Sequence, residues 1–241
     1  MWQLPFDNGV TSVGIVLDAD KYPLESNRRA EDEWAEQLER YPSIARQLMT
    51  AKLVAPERVV RTSRMQRFEE TIADDDWALL PNTAGFIDPL HSTGIAHSLC
   101  GIELLADCLT QFEGPERTDQ LALYSKRVRQ ALTHIDELMR ACYLSLSSFR
   151  AFAASTMMYF AAATTFERRR LEANDIRSGA FLCADEEWEI PFGWLASHQT
   201  DMEERAEEYE QLVMQCIDRY NHVGLMNPSL NNMYSATALP E

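Results

Sequence analysis

Residues 77–109, WALLPNTAGFIDPLHSTGIAHSLCGIELLADCL, hold the residue types best placed to bind a ligand. An apolar run leads into a tight segment containing Gly85 and Pro89, and a helical pattern begins near Ser92 or Thr93. A strand, a loop and a helix start built of small residues leave backbone N–H groups and the positive end of the helix dipole free to face an anion or an electron-rich ring. Thr93-Gly94 lets such a ligand approach the main chain closely. His91 beside it is a candidate for proton transfer or a polar contact, and equally for a cap on the following helix. Asp88, before Pro89, reads as an Asx-turn stabiliser beside the ligand rather than as a catalytic carboxylate.

The remaining reactive side chains are dispersed. His97 lies one turn into the helix and reads as a packing residue, and His134 shares the polar side of its helix with Arg127, Gln130 and Glu137. His198 and His222 have no ligand partners at useful spacing, so no metal site is expected. Cysteines 100, 108, 142, 183 and 216 form no C-x-x-C pair, which points to a reducing, cytoplasmic setting without disulfides. Arg168-Arg169-Arg170 fits a helix C-terminus that favours cations, and Met157, Met158, Tyr159 and Phe160 fit buried packing.

Composition limits the partners. The 241 residues carry 22 basic and 38 acidic side chains, a net charge of −16, and 46% are hydrophobic, which is ample for a core. A chain of this charge repels phosphate backbones and anionic lipid, so neither nucleic acid nor a membrane surface is expected as a partner. The start lacks a signal-peptide pattern, and the longest uncharged stretch, 151–166, is shorter than the ~20 residues that span a bilayer.

The elements that must position the loop follow from pattern. Asp7-Asn8-Gly9 between WQLPF and VTSVGIVLD predicts a hairpin, with Gly14 leaving room for a close approach. Residues 27–51 suit two short helices broken at Tyr41-Pro42, residues 57–70 one or two extended segments, and Trp77–Leu80 a short buried strand. Apolar residues at helical spacing, Ile95, Leu99, Ile102, Ala106 and Leu109, then Leu121, Tyr124, Val128, Ala131, Ile135, Leu138 and Cys142, predict two helices with buried faces. The 151–166 stretch predicts a helix buried all round, and 201–220 an amphipathic one with Met202, Tyr209, Leu212, Val213, Cys216 and Ile217 inward. The acidic runs at 31–39 and 203–210 read as solvated helix faces.

The run Ala84-Gly85-Phe86-Ile87-Asp88-Pro89-Leu90 with Ser92-Thr93-Gly94-Ile95 resembles the second FAD-binding motif of para-hydroxybenzoate-hydroxylase-type flavin monooxygenases. Within them it is most similar to the flavin-dependent halogenases, whose pattern is close to G-D-A-A-G-F-I-D-P-L-x-S-T-G-I. Trp2-Gln3-Leu4-Pro5 also resembles the end of their W-x-W-x-I-P motif, so the chain is expected to begin inside a family motif. The likeness covers roughly residues 2–170. It implies that Asn82, Ala84, Gly85, Asp88, Pro89, Ser92, Thr93 and Gly94 face FAD, and that the amides of Thr93 and Gly94 would hold halide in a halogenase. The family's Gly-Asp is Pro81-Asn82 here, so the ribityl contact would come from an amide. His91 stands where tryptophan halogenases resemble E-S-T-G and phenol-type ones F-S-S-G.

Such enzymes also need a G-x-G-x-x-G turn for the pyrophosphate, yet no two of the nine glycines are separated by a single residue. Lys21, Lys52 and Lys126 match no catalytic-lysine context. The expectation is therefore an α+β fragment: short antiparallel strands and the closing FAD-domain strand in the front third, and a mainly α-helical C-terminal half. Its regions are 1–76 with partial substrate-domain strands and two short helices, 77–115 as a partial FAD-binding segment, and 116–241 as a helical region. The implied activity is a partial FAD-dependent oxidoreductase, acting with reduced flavin and oxygen on a small-molecule substrate, served by a flavin reductase and a complementing chain. Alone, it is expected to hold FAD weakly or not at all. The alternatives are a non-catalytic helical interaction module and a geranylgeranyl-reductase-like flavin reductase.

Overall fold

The computed structural model describes residues 1–23, 25, 27–173, 181–182, 188–227 and 229. Cys183 lies outside the described residues. The chain divides into two compact units, Met1–Met65 and Gln66–Glu241.

In the first unit β1 (Trp2–Pro5) pairs antiparallel with β2 (Thr11–Gly14), Trp2 opposite Gly14. The expected Asn-Gly hairpin forms, but through a three-residue loop. The Phe6 and Val10 backbones close around Asp7-Asn8-Gly9, and Gly9 alone takes a positive φ, +79°. The close approach anticipated at Gly14 is made by the hairpin's own Trp2, whose ring lies 2.0 Å from where a Cβ would stand. Helix α1 (Ala30–Arg40) carries Glu31, Asp32 and Glu33 in its first turn and Arg40 in its last, each matched to the local helix dipole. Pro42 ends it and opens α2 (Pro42–Leu48), because proline suits the first helical position. Arg61 ties the following extended chain to α1 by a 2.6 Å bond from its guanidinium to Glu33.

The second unit is helical. Strand β3 (Arg67–Phe68) pairs antiparallel with β4 (Gly85–Phe86), and between them lies the one-turn α3 (Pro81–Ala84). Residues 77–80 do not form the expected buried strand. Trp77 and Leu80 are exposed, and the only pairing in the run is a single bridge between Ala73 and Ala78. A turn closed by the Asp74 amide on the Trp77 carbonyl and the helix-starting Pro81 leave no length for a strand.

Helices α4 (Gly94–Gln111), α5 (Gly114–Leu144), α6 (Phe149–Ala173), α7 (Glu189–Ser197) and α8 (Met202–Ile217) follow, and a 3-10 turn (Asp218–Tyr220) extends the last. The link from α4 to α5 is only Phe112-Glu113, with Gly114 at φ +54° making the reversal. All seven residues expected on the inner face of α5 are buried. Helix α6 buries Ala151, Met157, Met158 and Ala162 among others, as its unbroken apolar stretch required. One core joins α5, α6, α7 and α8; a second gathers Ile72, Ala84, Cys108, Leu121, Tyr124, Val128 and Leu132. Ile87 packs against both.

Helix α4 departs from its pattern. The apolar stripe Ile95, Leu99, Ile102, Ala106 and Leu109 faces outward, while His97, Gly101 and Cys108 are buried. Gly101 decides this: a Cβ there would stand 2.0 Å from Pro81 Cγ, so only this face of the helix can come down on α3. His134, expected on a solvated face, is half-buried.

Candidate functional site

The loop from Gly85 to Gly94 is shaped by three fixed points. At its start, Ala84 is fully buried and Gly85 lies so close to α5 that a Cβ would meet Leu132 Cδ1 at 2.5 Å. In the middle, Ile87 reaches the junction of the two cores. Asp88 follows, with Oδ1 accepting the Leu90 amide at 2.8 Å and Oδ2 accepting the Tyr143 hydroxyl at 2.8 Å. The first bond is the expected Asx turn; the second fastens the loop to the end of α5.

At the end, Ser92 has φ +53°, a left-handed conformation uncommon for a residue with a side chain. Its amide closes a turn on the Pro89 carbonyl at 3.0 Å. The turn drives Thr93 inward, where its hydroxyl donates to the Tyr159 hydroxyl at 3.2 Å, and Tyr159 in turn reaches the His91 carbonyl at 3.4 Å. Gly94 then faces open space, with nothing within 4 Å of a notional Cβ. Among the described residues no side chain caps α4, so its first-turn amides have neither an intrahelical acceptor nor a capping oxygen there. These open amides fit an anion or the electron-rich edge of a flavin.

His91 stacks on Tyr159 with ring centroids 4.3 Å apart, and its Nε2 lies 3.4 Å from Cys142 Sγ. Burial pushes the imidazole below its usual pKa, opposed in part by the Asp88 charge, and burial pushes the Cys142 thiol up to about 12. Both groups are therefore neutral near pH 7, and the pair is not a thiolate–imidazolium nucleophile. His91 can hold or accept one proton at a ring nitrogen, but carries no standing charge.

The structure thus brings Asp88, His91, Ser92, Thr93 and Gly94 together, with Pro89 exposed at the turn. Ala84 and Gly85 point into the core instead. Asn82 is exposed on α3, and its carbonyl accepts a 2.5 Å bond from the Arg67 guanidinium. Burial and the Asp88 carboxylate raise the Tyr143 hydroxyl's pKa, which keeps it a donor. Tyr143, Tyr159 and Cys142 are the contributions that the loop motif does not reveal, since they come from α5 and α6. The signal for Tyr159 was its hydroxyl, which needs a partner on a helix buried all round. Among the described residues no group of three or more His, Cys, Asp or Glu side chains is placed to hold a metal, and no helix is long and apolar enough to cross a membrane.

Tyr143→Phe is expected to cost about 1–2 kcal/mol, because it leaves a buried carboxylate oxygen without its donor. Urea denaturation measures the loss, and hydrogen exchange at the Leu90 amide, which shares that carboxylate, should accelerate.

The chain is similar in sequence to flavin-dependent halogenases. The tetracycline 7-halogenase of Kitasatospora aureofaciens is 32% identical over 160 residues, covering 62% of this chain and 28% of that protein. The monodechloroaminopyrrolnitrin halogenase PrnC of Pseudomonas fluorescens is 33% identical over 162 residues, 62% of this chain and 27% of its own. The fold is that of the crystal structure of halogenase PltM, which matches with a TM-score of 0.73 at 20% identity over 96% of this chain and 52% of that one. A variant of PltM in complex with FAD matches with a TM-score of 0.71 at 20% identity, over 91% of this chain and 49% of that one. No protein-family model matches the chain. The chain therefore corresponds to about a quarter of the length of these curated relatives and half of the structural one.

Proposed function

We propose that this chain is the part of a cytoplasmic, halogenase-like FAD-dependent oxidoreductase that closes over the flavin ring beside a small-molecule substrate. The observation that supports the reading most is the open first turn of α4: Gly94 has free space before it, the amides are uncapped, and Ser92 holds a left-handed conformation to present them. The flavin, when bound, supplies the redox chemistry. The chain's own residues do the positioning. The amides of Thr93 and Gly94 are available to a halide or to the flavin edge; Tyr143 and Tyr159 hold the loop; His91 offers a neutral imidazole at the loop. Ala84 and Gly85 serve by packing the loop against α5 rather than by touching the cofactor. The reduced flavin would come from a separate flavin reductase.

The test is to follow the backbone amide resonances of the intact chain by NMR while adding FAD and, separately, bromide. Shifts confined to Ser92–Ala96, saturating only at millimolar ligand and removed by Gly94→Val, are the expected result. Unmoved amides throughout residues 82–96 would sink the reading. Stoichiometric yellow flavin surviving gel filtration would instead show that the chain needs no complementing part.

A further inference from the structure

His91 joins the loop to both long helices behind it. Its half-buried ring stacks on Tyr159 of α6 at 4.3 Å between centroids, with Phe160 at 6.1 Å, and its Nε2 lies 3.4 Å from Cys142 Sγ of α5. The His91 carbonyl accepts the Tyr159 hydroxyl at 3.4 Å, and that hydroxyl accepts the Thr93 hydroxyl at 3.2 Å. One tyrosine therefore carries the imidazole on its face and the start of α4 on its oxygen. Ser92, between the two anchored residues, holds φ +53°, a conformation that a residue with a side chain keeps where its surroundings impose it.

This seat suits a neutral imidazole and not a charged one. A neutral ring can accept the Cys142 thiol proton at Nε2; a protonated ring would turn an N–H toward a sulfur that accepts weakly. Asp88 is the carboxylate whose charge reaches the ring and favours the proton, but its two oxygens are already engaged by the Leu90 amide and the Tyr143 hydroxyl. Tyr159 and Phe160 from α6 and Cys142 from α5 are uncharged, so an imidazolium here gives up water without gaining a strong acceptor. Burial accordingly holds the imidazole below its usual pKa.

We propose that His91 is a pH-operated clasp: its neutral ring, wedged between Cys142 of α5 and Tyr159 of α6, holds the Ser92–Gly94 turn in the shape that opens the first amides of α4, and taking up a proton releases it. The released ring titrates near pH 6.5, as in an unfolded chain. Above that value both the clasped and the released states are neutral, and the clasp is at full strength. As the pH falls below it the released state binds the proton first, so opening grows by up to tenfold per pH unit. The consequence for ligand binding rests on the flavin reading above; the clasp does not.

The test follows three NMR readouts on the intact chain from pH 7.5 to 5: the His91 ring resonances, hydrogen exchange of the Ser92 amide corrected for its intrinsic rate, and the shift that bromide causes at the Gly94 amide. In the wild type, Ser92 protection should fall by up to tenfold per unit below pH 6.5, in step with the His91 titration, and the bromide shift should fade with it. His91→Gln keeps an acceptor for the thiol but does not titrate, so its Ser92 protection should stay level across the range. His97→Gln removes the other imidazole near the start of α4 and should leave the response in place. The wild-type comparison of ring titration with Ser92 protection decides the matter even if His91→Gln does not fold. Ser92 protection that ignores pH in the wild type, or that falls equally in His91→Gln, would overturn the proposal. So would bromide binding that tightens as the pH falls, because the imidazolium would then hold the anion instead of freeing the loop. A pH-dependent Ser92 amide with no bromide shift at any pH would uphold the clasp and remove the flavin reading instead.

Discussion

Leu132→Ala is expected to destabilise the chain by about 3 kcal/mol and to loosen the candidate site at the same time. Leu132 is 1% exposed and belongs to the core that includes Ile72, Ala84, Tyr124 and Val128. Truncation removes three buried carbons and opens a void, and the neighbours decide how far that void can close. Gly85 faces it with no side chain at all and Ala84 with only a methyl, so little is available to fill it. The Tyr124 ring is tied by its hydroxyl to the Leu79 carbonyl at 2.7 Å and is held back from moving in. The cost therefore belongs in the middle or upper part of the usual range for such truncations. Leu132→Met conserves volume and should cost less than about 1.5 kcal/mol. Urea denaturation compares the two. The Ala variant should also speed hydrogen exchange of the Glu69 amide, which donates to the Ala84 carbonyl at 2.8 Å beside the void. A loss below about 1 kcal/mol would show that the loop simply settles onto α5.

The contrast between α5 and α4 explains how much of this molecule was legible in its residues. Periodicity reports which face of a helix seeks burial, and on α5 the chain itself supplies the cover from both sides, so every expected inner position is buried. On α4 the same kind of signal marked Ile95, Leu99, Ile102 and Leu109, and the structure leaves them exposed. The face that α4 buries carries an imidazole, a glycine and a thiol, types with little hydropathy to reveal them. Its burial follows from the Gly101–Pro81 approach, a fact of shape between residues 20 positions apart. Trp77–Leu80 failed as a strand for a related reason: its apolar composition was read without the turn before it and the proline after it.

The candidate site divides along the same line. The loop, its Asx turn and the helix start near Thr93 were readable, because they rest on contacts between residues a few positions apart. The hydroxyl of Tyr143 on Asp88 and that of Tyr159 on the His91 carbonyl join residues more than fifty positions apart, and no local pattern encodes such pairs. Yet these long-range bonds hold the loop in the conformation that exposes the amides. The motif alone therefore describes a loop and a helix start, and the helices behind it determine the conformation in which they are held.

His97 should make the chain's stability depend on pH, in a direction set by its burial. The imidazole is 4% exposed, stacks on Phe181 at 5.5 Å between centroids, and has no hydrogen-bond partner at Nε2 among the described residues. Burial lowers its pKa to about 4, against about 6.5 for an unfolded chain. Above pH 6.5 both states hold it neutral and the full stability is present. As the pH falls from 6.5 toward 4 the unfolded chain takes up the proton first, so the folded state loses ground across that window. A difference of roughly 2.5 units corresponds to a loss on the order of 3 kcal/mol by pH 4. Burial lowers His91 and His134 as well, which adds in the same direction, whereas Glu137 is raised by burial and opposes it. The comparison that isolates His97 is the urea midpoint of wild type and His97→Gln measured from pH 7.5 to 4. The amide does not titrate, so the variant should begin less stable and fall less steeply, the two curves converging as the pH approaches 4. Parallel curves would show that the imidazole already reaches water or an acceptor in the folded chain, and would require α4 to sit higher above its neighbours than the Gly101–Pro81 contact allows.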